Sequence, residues 1–270
     1  MTDPITQFMM LGAAGAAGDA THVDDVFHVQ VHAGNSATRS INNGIDLAGE
    51  GGLIWAKTRN QNYHYTLFNT VRGSTKYVRS NGNHAESTYT GNGITSFNNN
   101  GYTLGNDNSW QGLNHSGNDY VLNTFRKAPG FFDIVTYTGN NQANRVVTHN
   151  LGSVPGCIMI KKLTGSIEDW RVYHRGTDSE NPGDYHLRLN QNHARNDADT
   201  FMDTIPTSTQ FLLNSYSDVN ASGETYIAYI FAGGESTAAT ARSVNFDGSN
   251  DYITLASSSD FAFGTGDFTI

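Results

Sequence analysis

The chain states one pattern twice. Gly34 recurs as Gly139, 105 positions on; Lys57 as Lys161, 104 on; Gly73 as Gly176, 103 on; and Phe125 as Phe231, 106 on. Around these anchors the text is similar too. Ala33-Gly34-Asn35 with Arg39 is echoed by Thr138-Gly139-Asn140 with Arg145. Ser116-Gly117-Asn118-Asp119-Tyr120 is echoed by Ser222-Gly223-Glu224-Thr225-Tyr226. Drift of one or two residues in the interval is what small turn insertions produce. An internal repeat constrains the architecture before any other feature does. Here it divides most of 270 residues into two like modules of ordinary domain size. Duplicated modules point to binding or structure, because an enzyme usually needs a single site.

Each copy reads as β structure. Phe27-His28-Val29-Gln30-Val31-His32 alternates, with Phe27, Val29 and Val31 on the face expected to be buried and the histidines on the wet face. Its counterpart is Phe132–Tyr137. Leu53-Ile54-Trp55-Ala56-Lys57 and Cys157-Ile158-Met159-Ile160-Lys161 are continuous apolar runs, expected to be central strands buried on both sides. Tyr120–Phe125 and Tyr226–Phe231 close the copies. Asn43-Gly44, Asn81-Gly82, Asn92-Gly93 and Asn100-Gly101 mark turns, with type I′ hairpins expected. Pro155 is expected to stand outside the ladder. Apolar spacing of helical period is missing over any ten residues, and turns this frequent indicate a sandwich or barrel.

Charge excludes one class of partner. The formal net charge is −9 and Lys and Arg do not cluster, so a phosphate-tracking surface is not expected and nucleic acid is a poor partner. The single cysteine, Cys157, excludes an intrachain disulfide. Its apolar neighbours make it a small buried hydrophobe rather than a reactive thiol. The apolar start, Phe8 to Ala17, is short and glycine-rich, without signal-peptide form. The expectation is a soluble chain made in a cytoplasm, with no membrane insertion. Met9, Met10 and Leu11 in that start are the candidate docking residues, since loose apolar side chains want a partner surface.

Several long phrases carry a family resemblance. Asn43-Gly44-Ile45-Asp46-Leu47-Ala48-Gly49-Glu50-Gly51-Gly52-Leu53-Ile54-Trp55, Leu67-Phe68-Asn69-Thr70-Val71-Arg72-Gly73 and Phe125-Arg126-Lys127-Ala128-Pro129-Gly130-Phe131-Phe132 resemble tail fibre proteins of tailed bacteriophages, marine ones especially. His149–Gly156 and Asp169–Gly176 belong to the same pattern. Ser243–Ile253 and Phe261–Ile270 resemble the opening of a concanavalin A-like, laminin-G-type lectin domain. Such a sandwich needs on the order of 100 residues, so the natural chain is expected to be longer or this one truncated. The resemblance implies a virion tail protein, other tail proteins as partners, a homotrimer, and a host-surface glycan as a further partner.

Chemistry-bearing residues are sparse. His28 and His32 stand about 13 Å apart on one strand face, too far to share an ion within one chain. Asp24-Asp25 and Asp247 with Asp251 are acidic pairs, and the second lacks calcium-loop spacing. His149, His174 and His186 could be combined with Asp169 and Ser153 as a triad, but only geometry identifies one. Trp110, in the polar loop Gly105–His115, could stack on a sugar ring with His115 beside it; the plainer reading tucks it under its own loop. Trp55 and Trp170 read as core.

The sequence therefore predicts an all-β protein of two tandem homologous β-sandwich-like modules, with a short N-terminal docking segment and a truncated lectin-like C-terminal segment. The divisions are 1–25 anchoring segment, 26–128 and 129–232 modules, 233–242 linker, and 243–270 lectin-like start. The predicted function is structural, a tail fibre or tail-tip subunit attached through its N-terminus. No catalysis, cofactor or metal is expected. A carbohydrate-binding module recognising surface glycans is the alternative.

Overall fold

A computed structural model describes residues 21–89, 91–107, 112–197 and 201–234. The first module begins with one helical turn, α1 (Val23–Val26), and then β1 (Phe27–Ala33), β2 (Arg39–Asn42), β3 (Gly52–Thr58), β4 (Thr66–Asn69), β5 (Gly73–Arg79), β6 (Ser87–Thr88), β7 (Ile94–Asn98), β8 (Gly101–Leu104) and β9 (Asp119–Arg126). The second holds β10 (Phe132–Thr138), β11 (Arg145–Thr148), β12 (Pro155–Lys162), β13 (Arg171–His174), β14 (Tyr185–His186), β15 (Asn196–Asp197), β16 (Gln210–Leu213), a helical turn α2 (Ser217–Asn220) and β17 (Thr225–Ala232). The fold is all-β, as expected from the turn-punctuated, β-branched and aromatic runs.

The repeat in the sequence is a repeat of topology. The large sheet of the first module runs β1-β9-β3-β4-β5-β6, and that of the second runs β10-β17-β12-β13. First, last, third and fourth strands thus occupy the same places. Register agrees as well: Phe125 lies between Phe27 and Leu53, as Phe231 lies between Phe132 and Cys157. A small antiparallel pair covers one face of each large sheet, β2 with β8 and β11 with β16.

Burial explains the continuous apolar runs. On β3, Ile54 and Ala56 enter a core closed by β2, β7 and β8, where Ile41, Ile94, Tyr102 and Leu104 lie. On β12, Ile158 and Ile160 enter the corresponding core with Val147, Phe211 and Leu213. The alternate residues turn the other way into a third core made by both modules: Leu53, Leu67 and Val78 meet Phe132, Ile134, Met159, Trp170, Val172, Ile227 and Tyr229. Successive strand side chains point to opposite faces, so a strand with a core on each side must be apolar throughout. The described residues accordingly fall within one compact unit ending at Gly234.

Three local expectations are corrected. On β1, Val29, Val31 and Ala33 are exposed, while Gln30 and His32 are half-buried on the opposite face. In the Asn-Gly pairs, Gly44, Gly93 and Gly101 take positive φ but their asparagines do not, so they are not type I′ turns, which need positive φ at both central residues. Pro155 does join the ladder, opposite Ala232, with a register shift directly after it. It is the first residue of its strand, where a missing N–H is tolerated.

Candidate functional site

The repeated motif residues converge at one end of each module, on a polar knot built identically twice. Gly34 N–H donates to the Asn118 carbonyl, and Gly139 N–H to that of Glu224, both at 2.8 Å. A Cβ on Gly34 would stand 2.0 Å from the His115 carbonyl oxygen, and one on Gly139 2.1 Å from that of Ala221. Only glycine fits either place. The next residue, Asn35 or Asn140, receives the N–H two positions on, from Ala37 or Gln142. Between them Ser36 and Asn141 both take φ of 56°. Asn114 and Asn220 tie the knot: each accepts an N–H through its side-chain oxygen, from Asn35 at 3.2 Å or Asn140 at 2.9 Å. Each amide nitrogen also donates to the carbonyl of Ala37 or Gln142. Tyr120 and Tyr226 accept the N–H of His115 and Ala221 through their hydroxyls. The two central asparagines are buried, at 1% and 0% exposure, so their amides need these partners. Reading the repeat at its anchors missed this pair. The signal was there: Asn114-His115-Ser116-Gly117 and Asn220-Ala221-Ser222-Gly223 share both ends.

His32 has a structural counterpart rather than a ligand. Its ring stacks on Tyr120 at 5.3 Å, and its Nε2–H donates to the Leu113 carbonyl at 3.1 Å. In the second module Tyr137 stacks on Tyr226 at 5.1 Å, and its hydroxyl donates to the Val219 carbonyl at 2.8 Å. Burial is the main cause holding the His32 pKa below the usual imidazole range. His32 therefore stays neutral and does what a tyrosine does at the same point of the other copy.

The junction between modules carries the remaining buried polar contacts. Tyr229, fully buried, accepts from Asn69 Nδ2 at 2.9 Å and from the Arg72 guanidinium at 3.4 Å. Arg72 also pairs with Glu86 at 3.0 Å, and Lys76 reaches the same carboxylate at 3.0 Å. Trp170 Nε1 donates to the Arg79 carbonyl at 2.8 Å. Lys161 is fully buried and donates to the carbonyls of Asn83 and Glu168. Burial pulls its pKa down to about 8.

A shallow depression lies where the modules join in sequence, lined by Glu50, Lys127, Pro129, Phe132, Asp133 and Asn150. Asp133 is buried and pairs with Lys127 at 3.0 Å. Its other bonds come from the backbone N–H groups of Ile134 and Asn150, at 2.8 and 2.7 Å. A carboxylate committed to an ammonium and two peptide groups works as a clasp for the chain between modules.

The histidines of the second module are dispersed over separate tasks. His149 Nδ1 accepts the Leu151 N–H and its ring stacks on Phe211. His174 is exposed and accepts the Gly176 N–H. His186 is buried against Phe201 and Tyr216, with its pKa lowered to about 4 by burial and then by Arg171 and Arg188. Asp169 is held instead by Asn190, Gln191 and Arg188. Among the described residues none of these histidines bonds Asp169 or Ser153. Cys157 is half-buried at the edge of the shared core rather than fully buried as expected, and burial pushes its thiol up to about 11. Trp55 is half-buried at the edge of the shared core, its Nε1 donating to Ser80 Oγ, and Trp170 is fully buried there. Of the candidate site residues, His115 is half-buried and belongs to the knot through its backbone. Trp110 and the docking residues Met9, Met10 and Leu11 lie outside the described residues, as does the lectin-like start. Groups of three or more potential metal-binding side chains do not occur among the described residues.

Comparison with curated proteins and with solved structures finds no match to this chain. A family model does match, over residues 22–251, spanning both repeats as one stretch. The chain belongs to that family, the domain of unknown function DUF7483.

Proposed function

We propose that the chain is a non-catalytic structural subunit of a bacteriophage tail, a fibre or tail-tip component attached through its N-terminal segment and supporting recognition of the host surface. The observation that carries this reading is how the repeated residues are used. Gly34, Asn35 and Tyr120, with their counterparts Gly139, Asn140 and Tyr226, are engaged in the knots. Lys161 is engaged at the junction, as is Arg72. The knots close one end within each module, while Arg72 and Lys161 bond across the junction, and residues spent on internal ties suit a structural part of an assembly. The tail fibre phrases in the sequence supply the setting, and they fall within the two modules.

Mass spectrometry of purified particles from a phage encoding this chain tests the reading, and absence of the protein from the particles would sink it. Attachment is tested separately by deleting residues 1–22. The shortened protein is expected to fold and to be lost from virions; normal incorporation would remove the attachment role.

A further inference from the structure

The two modules treat the same edge strand differently. β1 ends its sheet, as β10 ends the other. Because Gly34 N–H bonds Asn118 directly opposite, the pairs two residues apart from it, His32, Gln30 and His28, are the hydrogen-bonded ones. The N–H and C=O groups of Val29, Val31 and Ala33 therefore point away from β9, toward the open edge. Among the described residues no backbone group meets them. The Val31 carbonyl receives only the side-chain amide of its neighbour Gln30, at 2.8 Å. On β10 the edge is closed over its first half only, with Thr136 and Thr138 left without a backbone partner among the described residues. Phe132 exchanges both backbone bonds with Ala128, and the Ile134 N–H is capped by the Asp133 carboxylate. The far edges are managed too: β6 has two residues, and β13 is bridged by Leu187. A buried acid, a short strand and a covering loop are ordinary ways to blunt an edge. β1 has none of them. It is seven residues long, with no Pro, Asp, Glu, Lys or Arg, and it shows Val29 and Val31 at 47% and 51% exposure. At the position of Val29 the other module has Ile134, 2% exposed inside the shared core.

We infer that β1 pairs with β1 of a second copy of this chain, antiparallel about a twofold axis through Val31. The occupant is argued from the strand itself. Open groups at 29, 31 and 33 are symmetric about residue 31, so Val29 meets Ala33 of the copy, Val31 meets Val31, and about six backbone bonds close at once. The small Ala33 leaves room for the opposing valine, and neither strand brings a charge that would repel its twin. Pairing joins two six-stranded sheets into one and sets Val29 and Val31 beside Ala33 and Val31 of the copy on one sheet face.

Sedimentation of the full chain at micromolar concentration tests this. A dimer is expected. Val31→Pro removes an N–H that faces the open edge rather than β9, so it spares the ladder within the chain. Val31→Lys sets like charges opposite each other on the axis. Both variants are expected to sediment as monomers with unchanged circular dichroism, and Val31→Lys to weaken dimerisation at least tenfold. Amides of Val29, Val31 and Ala33 are expected to exchange slowly in the dimer and fast in Val31→Lys. A wild-type monomer, a trimer, or a dimer that survives both substitutions overturns the proposal. So does a monomer in which those amides are already slow, which would assign the edge to another segment of the same chain.

Discussion

Small side chains and amides carry much of the specification in this protein. Gly34 and Gly139 are a repeated case, because a carbonyl oxygen occupies the space a methyl group would need. Gly34→Ala is expected to cost about 2–4 kcal/mol, since backbone on both sides must move; urea unfolding measures it. His186 makes the opposite case. It is 1% exposed and both ring nitrogens lack a hydrogen-bond partner. Its pKa is about 4 in the folded chain and about 6.5 when unfolded. Between those values the unfolded chain binds the extra proton. Stability is therefore intact above about pH 6.5 and falls as the pH drops toward 4. His186→Phe is expected to leave stability at pH 7 equal or higher and to remove roughly 2–3 kcal/mol of the loss between pH 7 and 4. Denaturant melts of both proteins at the two pH values check this; equal acid losses would refute it. Sequence reading saw that Gly34 recurs but not why, because the carbonyl that excludes a side chain comes from His115, 81 positions away.

Strands were recognisable from alternation and from β-branched and aromatic content, and their twin order followed from the repeat. What alternation cannot say is which face meets a core. On β1, Phe27, Val29 and Val31 are the apolar set, yet the inward positions went to Gln30 and His32, because His32 replaces the stacking tyrosine of the other copy. The runs in β3 and β12 were read as doubly buried, and they are. The polar link across their shared side was not readable, since Asn69 and Tyr229 are 160 positions apart. Tyr229→Phe removes the acceptor for Asn69 and Arg72 while keeping the ring. It is expected to cost about 1–2 kcal/mol and to quicken amide exchange in β4 and β17 together. Exchange that quickens in β17 alone would mean the bond does not couple the sheets.

Two modules sharing a core should behave as one cooperative unit. The shared core takes residues from β3, β4 and β5 on one side and from β10, β12, β13 and β17 on the other. Cutting between the modules strands Ile134, Met159, Ile227 and Tyr229, all 5% exposed or less in the intact chain. A chain of residues 21–234 is expected to melt in a single calorimetric transition, with calorimetric and van 't Hoff enthalpies equal. Residues 131–234 alone are expected to aggregate or bind an apolar dye. Two separated transitions, or a soluble and well-folded second half, would show that the shared core is dispensable. The match of one family model across both repeats accords with the undivided unit.

Local pattern was enough to establish an all-β chain, its doubling and the central strands, because each depends on neighbours in sequence: side-chain alternation, turn residues and an apolar context. The outward turn of Val29 and Val31, the asparagine knots and the polar link at the junction depend on groups brought together from 77 to 160 positions apart. The shorter of those distances are closed by the folding of each module, and the longest by the packing of two unlike faces. Module one presents β3, β4 and β5 while module two presents β10, β17 and β12, and that asymmetry buries Ile134 of β10 in the shared core while its counterpart on β1, Val29, stays exposed.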